Sequence, residues 1–204
     1  KRQTVKVMGG EDWARWIQQL SEAGVLAEGV KTVAYSYIGP TYTHAIYRDG
    51  TIGAAKKDIE RTAREINEKL KQTLSGEAYI SVNKGLVTRS SAVIPLIPLY
   101  ISILFKIMKR NGTHAGCIEQ MERLFAERLY MGKPVPTDDE NRIRIDELEL
   151  DPKVQDEVAK YMAIVNEDNI AELGDLEGYR HDFLATNGFD IAGVDYDKDV
   201  ARMD

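Results

Sequence analysis

Two predicted strands joined by one long helix constrain the fold of this chain more than any other feature of its sequence. The first strand covers Val33 to Tyr37, where apolar residues alternate with small ones, and the second covers Glu77 to Val82. Between them lies a predicted helix, Ile52 to Leu74, with apolar residues on one face. A strand, a crossover helix of this length and a second strand are typical of a right-handed parallel unit in an α/β fold.

The rest of the chain is predicted to be mostly helical. We expect further helices at Glu11–Ala23, Thr113–Tyr130, Pro152–Tyr161 and Asp168–Leu173, and a short edge strand at Arg142–Ile145. No long Gly/Ser-rich or Pro-rich run separates these segments. The sequence therefore predicts one compact unit rather than two domains joined by a linker.

An apolar segment from Ser90 to Phe105 is the place where a membrane helix has to be considered. It is 16 residues long, contains Pro95 and Pro98, and runs directly into Lys106. A membrane-spanning helix needs about 20 apolar residues. We therefore expect no membrane span here, and instead a buried loop followed by a helix whose first turns are started or kinked by the prolines.

The composition of the chain limits the classes of partner and the cellular compartment that can be expected. The 204 residues include 27 basic and 33 acidic ones, a formal net charge of −6. Nucleic-acid binding depends on basic contacts with phosphates, so this balance argues against a nucleic-acid partner. Cys117 is the single cysteine, and no internal disulfide can form, which is typical of a cytoplasmic protein. The sequence starts at Lys1 without a methionine, and no secretory signal follows.

Two common types of functional site are missing from the sequence. Gly9-Gly10 precedes a helix but follows no convincing strand and lacks a third glycine, so we interpret it as a flexible approach to the helix and not as a phosphate loop. The histidines have no carboxylate or cysteine at metal-ligand spacing; they are His44, His114 and His181. We therefore predict no metal site.

Tyrosines are concentrated after the first predicted strand. Four of them fall within 13 residues: Tyr35, Tyr37, Tyr42 and Tyr47. Ligands of parallel α/β sheets bind beyond the carboxyl ends of the strands, and the later tyrosines of this group are expected there. The loop from Asn83 to Arg89, after the second predicted strand, would open on the same edge of the sheet. This edge is the predicted ligand site.

Two lysines, Lys56 and Lys57, are predicted in the first turns of the long helix, where the helix dipole disfavours positive charge. A lysine there could lower the pKa of a nearby tyrosine and donate hydrogen bonds to a ligand hydroxyl. Tyr47 precedes Lys56 by nine positions, which on one continuous helix would separate them by about 13 Å. They can converge only if the chain turns between them, and Arg48 to Thr51 supplies a turn. From the residues alone, a core tyrosine and a solvated lysine stay open as the alternative.

Four long strings of the sequence carry a family resemblance. They are VAYSYIGPTYTHAIYRDGTIGAAKKDIE (Val33–Glu60), YISVNKGLVTRSSAVIPLIPLYISILFKIMK (Tyr79–Lys109), GCIEQMERLFAERLY (Gly116–Tyr130) and GYRHDFLATNGFD (Gly178–Asp190). With these strings in this order, the chain resembles the trans-2-enoyl-CoA reductases, which include the FabV-type enoyl-acyl-carrier-protein reductases of bacteria. The resemblance implies an α/β chain that is the carboxyl-terminal half of a Rossmann-like fold related to the short-chain dehydrogenases, with an added helical region at the acyl pocket.

The same resemblance implies roles for individual residues. Tyr47 and Lys56 match the family's catalytic tyrosine and lysine, which are separated by eight residues. Tyr47 would then be the proton donor, and Lys56 would hold the ribose of NADH and tune the tyrosine. Tyr37 matches a residue that contacts the acyl substrate. Main-chain contacts with the nicotinamide end of the cofactor are expected from Leu86, Val87 and Thr88.

The reaction implied by the resemblance is the NADH-dependent reduction of the trans-2 double bond of an enoyl thioester. Hydride would add to the β-carbon, and Tyr47 would hydrogen-bond to the negative charge that develops on the thioester oxygen. The substrate would be an enoyl-CoA or an enoyl-acyl-carrier-protein in fatty acid synthesis. The apolar segment from Ala92 to Phe105 would form a wall of the acyl pocket, with plain core as the open alternative.

The chain differs from the members of this family in its length. Members of the family are roughly twice as long, and their glycine-rich dinucleotide fingerprint lies in the half that would precede Lys1. We therefore expect residues 1–204 to be the carboxyl-terminal catalytic and substrate-binding half of one larger reductase domain, with the amino-terminal half as its partner. The alternative is a non-catalytic fragment or interaction unit that cannot hold NADH without that half.

Overall fold

The computed structural model of the chain describes residues 1–130, 132 and 134–199, which divide into two compact units. The first unit consists of residues 1–85 and 115–155, and the second of residues 86–114 together with the described residues from 156 onward. The sequence predicts one compact unit. The sequence composition does not reveal the two units, because no Gly/Ser-rich or Pro-rich linker marks the points where the chain passes from one unit to the other.

The described part of the chain contains short and long helices and a small sheet. The α-helices are α1 (Arg2–Met8), α2 (Glu11–Glu22), α3 (His44–Tyr47), α4 (Thr51–Leu74), α5 (Ile97–Arg110), α6 (Cys117–Leu124), α7 (Pro152–Ile164), α8 (Ile170–Leu173) and α9 (Leu176–Ala185). The strands are β1 (Lys31–Ser36), β2 (Glu77–Val82) and β3 (Arg142–Arg144). Shorter helical turns are the 3-10 turns at Thr41–Thr43 and Ser91–Val93 and a π-helical turn at Phe125–Leu129.

The three strands form one parallel sheet in the order β1-β2-β3. At its carboxyl edge Ser36 is paired with Val82, and Val82 is paired in turn with Arg144. The predicted parallel strand–helix–strand unit is therefore confirmed, and the predicted edge strand at Arg142–Ile145 is present as β3. Because all strands run in the same direction, the segments that follow each of them start at the same edge of the sheet.

Helix α4 begins one residue before the predicted helix and ends at the same residue. Its buried apolar face, which packs with residues of β2, includes Ala63, Ile66 and Leu70. The helix stops at Ser75, whose φ of +52° places it in the left-handed region. Gly76 then allows a close approach to the residue before β1, since a Cβ there would lie 2.8 Å from the carbonyl oxygen of Val30.

The other helices of the first unit differ from the predictions at their ends. Helix α2 ends one residue earlier than expected, and the helix expected at Thr113–Tyr130 begins only at Cys117 and finishes in the π-helical turn. The sequence does not predict α1, because none of its seven residues is buried and its pattern therefore has no core-facing stripe.

The second unit is organised around α5. The apolar segment is a 3-10 turn followed by this helix, with Pro98 in the first helical turn, as the sequence predicts. Helix α9 packs on α5, where the backbone N–H of Asp175 donates to the carbonyl of Ser102. Over the described residues, no helix combines the length and the apolar character that a membrane crossing requires.

The remaining carboxyl-terminal helices are partly anticipated by the sequence. Helix α7 continues three residues beyond the predicted Pro152–Tyr161, and α8 is shorter than the predicted Asp168–Leu173. Helix α9 is not predicted. None of its residues is fully buried, so its sequence lacks the periodic apolar face on which such a prediction depends.

Candidate active site

The structure brings Tyr47 and Lys56 together at the start of α4. Tyr47 ends the short helix α3, and the chain turns through residues 48–50 before α4 begins at Thr51. Lys56 Nζ lies 5.9 Å from the centre of the Tyr47 ring. The turn predicted between the two residues thus produces the convergence that an uninterrupted helix would prevent.

Small and polar residues hold this turn in place. A Cβ at Gly53 would lie 2.8 Å from Arg48 Cα and collide with its carbonyl group, so a residue without a side chain lets α4 pass directly against the turn. Thr43, which is fully buried before α3, donates its hydroxyl to the carbonyl of Pro40 at 2.9 Å. These contacts fix the segment that carries Tyr47.

The ammonium group of Lys56 is partly withdrawn from water. It donates a 3.2 Å hydrogen bond to the hydroxyl of Ser36, the last residue of β1. Burial lowers the pKa of Lys56 to about 8, and the nearby carboxylate of Glu60 opposes this shift. The charge of Lys56 is therefore sensitive to pH in a range close to neutral. Sequence reasoning missed Ser36, because a single serine at a strand end carries no motif.

Burial shifts the pKa of the Tyr47 hydroxyl in the direction opposite to that of Lys56. It raises the pKa of Tyr47, because an ionised phenol is less stable away from water. The sequence suggests that a nearby lysine charge would lower this pKa; in the structure burial raises it. Tyr47 consequently keeps its proton at neutral pH, which is the state that a proton donor needs.

Tyr37 completes an aromatic pair at this edge of the sheet. Its ring meets the ring of Tyr47 edge to face, with centroids 4.9 Å apart and planes at 88°. Its hydroxyl donates a 2.8 Å hydrogen bond to Glu149 Oε1. Sequence reasoning missed Glu149, which lies 112 positions from Tyr37 in an acidic stretch that has the composition of a solvated surface.

A cavity of about 330 Å³ adjoins Tyr47 and Lys56. Its basic lining residues are Arg48, Lys56, Lys57 and Arg64, and its acidic ones are Glu60 and Glu140. Glu60 forms an ion pair with Arg142 of β3, whose Nη1 lies 3.3 Å from Glu60 Oε1. The excess of basic groups favours an anionic ligand, such as one that carries phosphate.

The three loop residues expected to face the cofactor belong to the second unit; they are Leu86, Val87 and Thr88. Ser91 shapes this loop. Its hydroxyl donates to the carbonyl of Leu86 at 3.0 Å and accepts from the N–H of Thr88 at 2.8 Å. Two of the main-chain groups proposed for cofactor contact are thus already engaged within the loop, and Ser91 has a structural role.

Comparison with known proteins decides which family this arrangement represents. Residues 1–130 match the protein-family model described as the trans-2-enoyl-CoA reductase catalytic region. The chain belongs to the trans-2-enoyl-CoA reductase family. The matched region contains Tyr37, Tyr47 and Lys56, and the family resemblance of the sequence is therefore confirmed.

Relatives of the chain include reductases with two different names, and a solved structure has a similar fold. The chain is 59% identical over 202 residues to a trans-2-enoyl-CoA reductase (NADH) of Treponema denticola, covering 98% of this chain and 50% of the relative. It is 55% identical over 199 residues to an enoyl-acyl-carrier-protein reductase (NADH) of Coxiella burnetii, covering 98% and 49%. A crystal structure of the Treponema denticola reductase in complex with NAD is similar with a TM-score of 0.90 at 59% identity, over 96% of this chain and 49% of that one. The predicted α/β fold is thus confirmed, and the chain spans about half the length of the curated relatives it matches.

A second family model, described as an enoyl reductase FAD binding domain, matches residues 137–200. The residues of this segment do not fit a flavin dinucleotide. A diphosphate needs backbone N–H groups of a glycine-rich turn between a strand and a helix, or basic side chains. The segment has 19 acidic residues against six basic ones, and β3 is followed by the glycine-free stretch from Ile145 to Asp151. We assign no flavin to it.

Proposed function

We propose that this chain is the carboxyl-terminal catalytic and substrate-binding half of an NADH-dependent enoyl-thioester reductase that serves fatty acid synthesis in the cytoplasm. The observation that carries the proposal is the pairing of Tyr47 with Lys56 beside a cavity whose charged lining residues are mostly basic. Membership of the trans-2-enoyl-CoA reductase family supports the reaction class. The names of the relatives support both coenzyme A and acyl carrier protein as substrate carriers.

Tyr47 is the proposed proton donor. When the double bond of an enoyl thioester is reduced, negative charge develops on the thioester oxygen, and a positioned hydroxyl stabilises it by hydrogen bonding. The raised pKa of Tyr47 keeps its hydroxyl protonated for this contact. Tyr37, which packs edge to face on Tyr47, is the proposed contact with the acyl substrate.

Lys56 is the proposed ribose-binding residue. NADH, when bound, supplies the hydride for the reaction. Lys56 provides a cationic donor that Ser36 holds beside Tyr47, and this donor set fits the hydroxyl groups of a ribose. We propose that Leu86, Val87 and Thr88 add main-chain contacts. The sequence has no glycine-rich diphosphate loop, so we assign the diphosphate to an amino-terminal half of the enzyme.

The apolar segment from Ala92 to Phe105 is the proposed wall of the acyl pocket, and its two parts differ in exposure. The side chains from Tyr100 to Phe105 are buried in the fold and form core. Val93 and Leu96, at its beginning, are 80% and 43% exposed and leave apolar surface available for a ligand. We therefore assign the acyl contact to the beginning of the segment and not to α5 itself.

The pH dependence of cofactor binding tests the role of Lys56. The pKa of Lys56 is lowered to about 8, so its ammonium group loses its charge as the pH rises through that value. We expect the dissociation constant for NADH, measured by fluorescence titration of the assembled enzyme, to rise between about pH 7 and about pH 9. Lys56→Arg keeps its charge in this range and should remove most of the dependence. A constant affinity across the range in the parent protein would contradict the assignment.

The proposed function is tested by assembling the enzyme from its halves. NADH consumption is followed with crotonyl-CoA and with crotonyl-acyl-carrier-protein, using this chain alone and this chain mixed with the preceding half of the reductase. We expect activity only in the mixture, because the diphosphate is assigned to the preceding half. If the chain is well folded by circular dichroism and the mixture is inactive with both substrates, the proposal fails and a non-catalytic interaction unit is favoured.

A further inference from the structure

One buried carboxylate links the segments that follow β1 and β2. Glu149 is 0% exposed, and both of its oxygens accept hydrogen bonds. Oε1 accepts from the Tyr37 hydroxyl at 2.8 Å, and Oε2 accepts from the backbone N–H of Gly85 at 2.7 Å. Tyr37 directly follows β1, and Gly85 lies three residues after the end of β2. A single side chain from the segment after β3 therefore ties the ends of both other strands together.

The chemistry of these contacts favours a fixed arrangement. Hydrogen bonds to an ionised carboxylate are stronger than those between neutral groups. A carboxylate removed from water is costly unless specific donors compensate it, and Tyr37 and Gly85 supply two such donors. Replacing one donor would leave the carboxylate less well compensated, so the three groups are expected to hold each other in place.

The Tyr37 ring is held on its other sides as well. Gly39 has a φ of +69°, and a Cβ there would lie 2.6 Å from the Tyr37 hydroxyl oxygen and closer still to the hydroxyl of Thr43. The Tyr37 ring also meets the Tyr47 ring edge to face at 4.9 Å. The hydrogen bond of the Tyr37 hydroxyl to Glu149 therefore anchors the far end of the ring that packs against Tyr47.

We propose that Glu149 is a positioning residue of the active site: it fixes Tyr37 against Tyr47 and so sets the orientation of the acyl substrate. This inference rests on the proposed function, in which Tyr37 contacts the substrate and Tyr47 donates the proton. Glu149 acts through Tyr37 and touches no reacting atom. Its effect through Tyr37 is therefore expected on kcat/KM for the enoyl thioester.

The first test is a double-mutant cycle in the assembled enzyme. Glu149→Gln keeps the size of the side chain but removes its charge, and we expect it to lower kcat/KM about tenfold, the effect of weakening one charge-assisted hydrogen bond. In a Tyr37→Phe background the same substitution should change kcat/KM less than about twofold, because the hydroxyl it holds is absent. Glu147→Gln is the matched control, since Glu147 pairs with Arg123 and Arg128 away from this cluster and should leave kcat/KM unchanged.

The second test reports on the contact without using activity. With tyrosine labelled by carbon-13 at Cζ, the Tyr37 resonance is identified by its loss in Tyr37→Phe. It should move in Glu149→Gln and stay in place in Glu147→Gln. Where Glu149→Gln does not fold, Glu149→Asp, which retracts the carboxylate by one methylene, is used and is expected to move the resonance and to lower kcat/KM.

The outcomes separate this inference from the proposed function. A Tyr37 resonance that does not respond to the change at Glu149 overturns the contact and with it the inference. Equal losses of kcat/KM in both backgrounds, together with lower thermal stability, indicate a general structural role and also overturn it. If the resonance moves but the parent enzyme reduces no enoyl thioester, the proposed function fails, and the positioning role fails with it while the contact stands.

Discussion

Replacement of Tyr47 by phenylalanine is expected to lower turnover by about 10²- to 10⁴-fold, the range associated with loss of a positioned general acid. The substitution removes one hydroxyl and keeps the ring, so the edge-to-face packing on Tyr37 at 4.9 Å can persist. The affinity for NADH should change little, because Lys56 and its bond to Ser36 are untouched. The measurement is steady-state kinetics of the assembled enzyme with crotonyl-CoA, combined with a fluorescence titration of NADH.

Tyr42→Phe is the matched control for Tyr47. Tyr42 is 42% exposed in the 3-10 turn that precedes α3 and does not line the cavity beside Tyr47 and Lys56, so the same hydroxyl is deleted in the same segment but outside that cavity. Its turnover should equal that of the parent enzyme. Rates near the parent value in Tyr47→Phe would remove Tyr47 from the proposed mechanism. Equal losses in both variants would indicate that the segment tolerates no loss of a hydroxyl and that the effect is not specific to proton donation.

Much of the first unit could be predicted because its signals are local. The alternation in β1 and the apolar stripe of α4 are periodic patterns that a few neighbouring residues determine. The turn between Arg48 and Thr51 made the convergence of Tyr47 and Lys56 possible from the residues alone, with a core tyrosine and a solvated lysine as the alternative, and the family resemblance then favoured the convergence. These are properties of short segments and of common topology.

The parts that sequence reasoning missed depend on contacts between distant segments. Glu149 reaches Tyr37 from 112 positions away, and no spacing rule connects a carboxylate to a tyrosine over that distance. Ser36 acquires a role only when the start of α4 passes over the end of β1. The direction of the pKa shift of Tyr47 was likewise not predictable, because it depends on how deeply the folded chain buries the phenol.

The division into two units shows a different limit of sequence reasoning. A linker of unusual composition is the usual sign of a boundary, but here the chain passes between units at residues 85–86, 114–115 and 155–156 within ordinary sequence. Units built from several chain segments leave no compositional trace, since each segment contains its own mixture of apolar and polar residues. The boundary is a property of the contacts and not of the composition.

Replacement of Lys56 by alanine is expected to weaken NADH binding by about 10- to 100-fold and to lower turnover as well, because a hydrogen bond from a charged donor is lost where the ribose is proposed to bind. Both quantities are measured in the assembled enzyme, by fluorescence titration of NADH and by steady-state rates. Lys69→Ala, an exposed lysine on the same helix about 20 Å along its axis, is the matched control and should change neither. An unchanged dissociation constant for NADH in Lys56→Ala would contradict the ribose assignment.

The melting temperature of Lys56→Ala distinguishes a loss of folding from a loss of function. The direction of the Lys56 pKa shift predicts which way this temperature should move. The pKa of Lys56 in the folded chain is lowered to about 8 from an ordinary value of 10.5, so below about pH 8 its charge destabilises the folded state relative to the unfolded one. Removing that charge should leave the melting temperature at pH 7 equal or higher. A stable Lys56→Ala variant that binds NADH poorly would therefore place the defect in the site, whereas Tyr47→Phe should lose turnover alone. This contrast between the two variants assigns cofactor binding to the lysine and proton donation to the tyrosine.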